Sequence, residues 1–102
     1  MATADDVRRV LTGDGLLQRL SAVEHERWSH WQQYMHSKGQ RQPDGSLTLP
    51  AEMVRQWDKQ IHTKYADLSP AEQVSDQEQV HRYLPIVIDV VMHAVTGSEP
   101  ES

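Results

Sequence analysis

At 102 residues the chain is the size of one modest domain, and 15 acidic against 10 basic side chains leave it at net −5, without the electrostatic footprint of a duplex nucleic-acid binder. The absence of cysteine excludes disulfides, a thiolate nucleophile and Cys-ligated zinc, and fits a reducing, cytoplasmic compartment. Only 37% of residues are hydrophobic and mean hydropathy is −0.69, yet the apolar positions are periodic, which argues for a folded chain over a disordered one.

With no Phe, the three Trp, three Tyr and the aliphatic residues must supply the interior. The opening ten residues lack the apolar run of a signal peptide, and the longest apolar stretch, 84–92, is too short to span a bilayer. Neither a membrane nor duplex nucleic acid is expected as a partner.

In chain order, residues 3–11 read as a short amphipathic helix, with Thr3 and Asp6 spaced as a capping box and Val7, Val10 and Leu11 on the apolar face. The turn Thr12-Gly13-Asp14-Gly15 leads into the longest uninterrupted helical pattern, residues 16–36. There Leu16, Leu17, Leu20, Val23, Trp28, Trp31, Tyr34 and Met35 approximate one buried stripe. Residues 37–49 are the least helical, an irregular loop in which Pro43-Asp44-Gly45 signals a turn. Leu47 and Leu49 alternate around Thr48, the pattern of a short hairpin.

Pro50 suits the first position of a helix over 51–62, with Met53, Trp57 and Ile61 spaced by four. After a connector at 63–68, Ser69-Pro70-Ala71-Glu72 is the strongest helix start in the chain. A second capping box at Ser75-Asp76-Gln77-Glu78 predicts one helical turn near 70–74 and a new helix from Asp76 to about Val95, which Pro85 should kink or restart. The expectation is an all-α domain over 1–96, a small bundle of four to five helices, with a flexible tail at 97–102.

Chemistry-bearing motifs are few. Six histidines stand at 25, 30, 36, 62, 81 and 93, and none pairs at the i, i+4 spacing of a helical zinc site, so a metal would need histidines from separate helices. No nucleophile elbow or phosphate loop is present, and Glu24 and Glu26 point to different helix faces. No catalytic residue, cofactor or metal is therefore predicted.

The best candidate site is the ridge His25, Trp28, Trp31 and Tyr34, joined by Trp57 and Tyr65. Its rings can stack a planar base, while Lys38, Arg41 and Arg82 neutralise phosphate. The bland alternative is that Trp28 and Trp31 belong to the core and that His25 is a hydrogen-bonded structural residue. Residues 86–95, including Ile86, Val87, Ile88, Val91 and Val95, are apolar on nearly all faces, which predicts a homo-oligomer.

The run Leu-Ser-Ala-Val-Glu-His-Glu-Arg-Trp-Ser-His-Trp at 20–31, with Glu24-x-x-Arg27 and His25-x-x-Trp28, resembles the first helix of the RyR domain, a small repeat of ryanodine receptors and of stand-alone bacterial and phage proteins. Tyr65-x-x-Leu68, Ser69-Pro70-x-Glu72, Ser75-Asp76 and Val80 leading to Tyr83-Leu84-Pro85 resemble the family's second half. The likeness covers 20–36 and 62–90. Between them the family's Gly-Trp-x-Tyr-Gly hairpin is missing, replaced by Lys38-Gly39-Gln40-Arg41, Asp44-Gly45 and an extra helix around Trp57. Small phage and prophage proteins look similar throughout, including residues 44–52.

The resemblance implies a cytosolic, non-catalytic helical module that binds a nucleotide or cyclic-nucleotide signal, with sequestration in phage counter-defence as its use. The alternative is an oligomeric protein-interaction module with no small-molecule ligand. A hydrolase built on His25 or His81 comes third, for want of a constellation.

Overall fold

The computed structural model describes residues 2–97. The protein is all-α: α1 is Ala4–Leu11, α2 Asp14–Lys38, α3 Ala51–Ile61 and α4 Pro70–Thr96, with a 3-10 turn at Tyr65–Asp67. Strands β1 (Gln40–Arg41) and β2 (Leu47–Thr48) pair antiparallel, Gln40 opposite Thr48 and Arg41 opposite Leu47.

The chain divides into two compact units. One comprises residues 2–27 and 77–97; the other is Trp28–Asp76. The predicted tail, beyond Gly97, lies outside the described residues.

Local chemistry explains the starts of α1 and α4. Thr3 caps α1 as a reciprocal box: its hydroxyl accepts from the Asp6 amide at 3.2 Å, and the Asp6 carboxylate accepts from the Thr3 amide at 2.9 Å. The Thr3 amide chiefly, then the Thr3 hydroxyl, holds the Asp6 carboxyl below the usual range. Ser69 does the same for α4, its hydroxyl accepting from the Glu72 amide at 3.2 Å while the Glu72 carboxylate accepts from the Ser69 amide at 3.3 Å and hydroxyl at 2.7 Å.

The predicted break at Val74–Asp76 does not occur. Inside a helix the amides after Ser75 already have carbonyl partners four residues back, so the second capping box has no open donor to serve. α4 likewise continues through Pro85 as one 27-residue helix.

Within the 37–49 segment, after α2 ends at Lys38, the two-residue strands β1 and β2 form the short hairpin whose pattern the sequence carries. Gly45 takes φ 88°, which the turn requires, and its amide donates to the Gln42 carbonyl at 3.0 Å. Asp44 accepts from the Ser46 hydroxyl at 2.6 Å and amide at 2.9 Å, which lowers its carboxyl pKa. Leu47 seats directly on Gly39: a Cβ at position 39 would stand 2.5 Å from the Leu47 Cγ.

In the first unit the core is narrow. Leu16 of α2 and Val90 of α4 are buried, with Val23, Tyr83, Ile86 and Val87 half-buried. In the second unit no described residue is buried. Met35, Leu47, Met53, Trp57 and Leu68 are half-buried there, while Ile61, predicted to share the face of Met53 and Trp57, is 74% exposed.

Candidate functional site

Three aromatic side chains meet in the second unit. Trp31 and Tyr34 lie one turn apart on α2, with ring centroids 5.7 Å apart and planes 30° apart. The hairpin returns the chain so that Trp57 of α3 meets Trp31 edge-on, at 5.3 Å and 72°. Offset and edge-on contacts are the arrangements that ring quadrupoles favour. One turn further along α2 the Lys38 ammonium stands over the Tyr34 ring, 5.4 Å from its centroid, a cation–π contact.

This group is a shelf rather than a core. Trp31 is 38% exposed and Tyr34 43%, with Trp57 half-buried. Trp31 thus packs against Trp57 and keeps part of its surface in solvent.

The other predicted site residues fall as follows. Trp28 and Tyr65 belong to the same unit and are about half exposed. The Tyr65 carbonyl accepts from the Gln73 amide group at 2.9 Å, which ties the 3-10 turn to the start of α4. Arg41 lies exposed on β1. His25 and Arg82 belong to the first unit, where both are exposed and Arg82 pairs with Glu26 at 3.3 Å.

Two polar networks in the first unit lie outside the predicted site. Glu24 accepts from Arg27 Nε at 3.0 Å and, through its other contacts, from Arg27 Nη2 and the Tyr83 hydroxyl. Arg27 chiefly, then Tyr83, holds the Glu24 carboxyl down to about 2, and the hydrogen bond to Glu24 raises the Tyr83 phenol. In the second network Arg19 donates to Asp89 at 2.8 Å, and Asp89 lies 3.1 Å from His93 Nδ1. The i, i+3 and i, i+4 spacings of Glu24–Arg27 and Asp89–His93 could have signalled half of each network. Tyr83 and Arg19 reach across from the other helix and leave no local signal.

Beside His93 an open hollow of about 390 Å³ is bordered by Asp6, Arg9 and Val10 of α1 and by Thr96. Among the described residues, no group of three or more His, Asp or Glu side chains is placed to hold a metal ion. No helix among them is long and apolar enough to cross a membrane.

No family model, curated protein or solved structure matches the chain.

Proposed function

We propose that the protein is a non-catalytic binding module that stacks a planar, anionic small molecule of the nucleotide class on the shelf of Trp31, Tyr34 and Trp57. The observation that carries this reading is Trp31 itself, fixed by rings on two sides yet more than a third open to solvent. A pre-set ring costs little conformational entropy when a base lies on it, and base–aromatic stacking contributes about 1–3 kcal/mol per base. Lys38, held over Tyr34, supplies a cation at the edge of the shelf, and Arg41 follows it on β1 as a second charge for phosphate. The likeness to the RyR domain supports the same ligand class, and a nucleotide or cyclic-nucleotide signal is the ligand proposed.

The test is a titration of tryptophan fluorescence with adenosine monophosphate, cyclic adenosine monophosphate and, as a ring-less control, ribose phosphate. The expected result is saturable quenching by the first two only, weakened by ~1–3 kcal/mol in Trp31→Ala with a melting transition still present. Arg41→Ala should melt as the parent does and bind the phosphate esters less tightly. If Arg41→Ala binds like the parent and Trp31→Ala merely unfolds, the cluster is architecture and the reading fails.

A further inference from the structure

We infer that a second copy of this chain covers the outward face of α4. At 100° per residue α4 carries two apolar faces. Tyr83, Ile86, Val90 and Ala94 share the inward one, where Val90 is 4% exposed. Leu84, Ile88, Met92 and Val95 share the opposite one, and they are 44%, 56%, 53% and 51% exposed. The residues predicted to drive self-association therefore divide: Ile86 turns into its own unit, and Ile88 and Val95 face solvent.

From Leu84 to Val95 the outward face carries no Asp, Glu, Lys or Arg, and the exposed His81, one turn before Leu84, is its polar end. Between Leu84 and Val95 the sequence has one charged residue, Asp89, which sits on the flank and pairs with Arg19 and His93. Arg82, on the same flank, pairs with Glu26. An uncharged face gives a partner of opposite charge nothing to read. What it offers is spacing: Leu84, Ile88, Val91 and Val95 follow the 4-3-4 rhythm of a heptad seam, which interlocks with a seam of equal spacing. A second α4 has that seam by identity, and a two-fold axis makes the contact self-complementary and closed.

The area agrees. The four half-exposed side chains Leu84, Ile88, Met92 and Val95 present on the order of 400 Å² of apolar surface, the size at which a patch marks an interaction site. A standard interface takes ~800 Å² from each partner, somewhat more than half of it apolar, so this face supplies nearly the whole apolar share. It also supplies burial that the first unit lacks, since Leu16 and Val90 are the buried hydrophobic residues among those described.

The experiment is the solution mass of the intact chain by light scattering across micromolar to sub-millimolar concentrations, for the parent and for Ile88→Asp. The parent should give twice 11.7 kDa, and Ile88→Asp should raise the dissociation constant roughly 100-fold or more, because the two-fold axis buries the unpaired carboxylate twice. Should Ile88→Asp fail to fold, single-cysteine variants decide in a background with no native cysteine. Under mild oxidation at least one of Leu84→Cys, Ile88→Cys and Val95→Cys should give a covalent dimer well ahead of Glu78→Cys, which lies off the row. A monomer of 11.7 kDa at every concentration overturns the proposal. So does an assembly that Ile88→Asp leaves intact, or one that cross-links as readily through position 78.

Discussion

Glu24 shows how much one side chain can gather. Its carboxylate takes hydrogen bonds from Arg27, on its own helix, and from Tyr83, fifty-nine residues away on α4. Both favour the charged form, so the folded chain holds the Glu24 proton far less tightly than the unfolded chain does, about 2 against an ordinary 4.5. The sign of the linkage follows. Above pH 4.5 neither state is protonated and the whole contribution is present; as pH falls from 4.5 towards about 2 the unfolded state takes up the proton first, and stability is lost. Glu24→Gln removes this titration, so its melting temperature should fall less steeply than the parent's through that window. Parallel curves for the two proteins would refute the assignment. Of this network Glu24-x-x-Arg27 is readable in the sequence as an i, i+3 pair, as are both capping boxes that the structure uses. Tyr83 is not, because only the packing of α2 on α4 in the first unit brings its hydroxyl to Glu24.

At the scale of elements, α4 separates what local rules decide from what they only bias. Ser69 and Glu72 start the helix as their spacing predicts. The second box and Pro85 do not interrupt it: α4 is helical from Pro70 to Thr96, and the inward row of Tyr83, Ile86 and Val90 is continuous across the proline. Pro85 nevertheless removes one amide donor, the one that would serve the His81 carbonyl. It is exposed, so it contributes little packing in return. Pro85→Ala should therefore stabilise the protein by about 1–3 kcal/mol in chemical denaturation with no change in helix register. A loss of stability would mean that the ring makes a contact worth more than the missing bond. The hairpin is the converse case. Pro43-Asp44-Gly45 announces the turn, but the order of the whole 37–49 segment depends on Leu47 fitting over Gly39, a contact with no periodic signature.

At the scale of the whole molecule, the helices are legible and the distribution of burial is not. A 3.6-residue period tells which side chains share a face; it does not tell which faces are covered. Trp28, Trp31 and Tyr34 fall on one ridge in the sequence, yet all three retain more than a third of their surface, and Ile61 leaves the row that Met53 and Trp57 begin. The two units consequently differ in what holds them. Residues 2–27 and 77–97 have Leu16 and Val90 buried and the Arg19–Asp89 and Glu24–Tyr83 links between helices. Trp28–Asp76 has no buried residue among those described and relies on the Trp31–Trp57 contact, the hairpin and the Glu72 hydrogen bonds to Ser69 and Gln60.

An eleven-residue helix such as α3 is too short to persist without packing, so its amides should open in local fluctuations that leave the first unit intact. Hydrogen exchange followed by mass spectrometry should find α3 exchanging well before residues 16–27 and 83–94. Trp57→Ala should accelerate α3 further while leaving those two segments at the parent's rate, since the ring it deletes meets Trp31 within the same unit. If α3 is as protected as the centre of α4, or if Trp57→Ala speeds exchange equally in both units, the two are one cooperative body and the shelf is fastened by more than its rings.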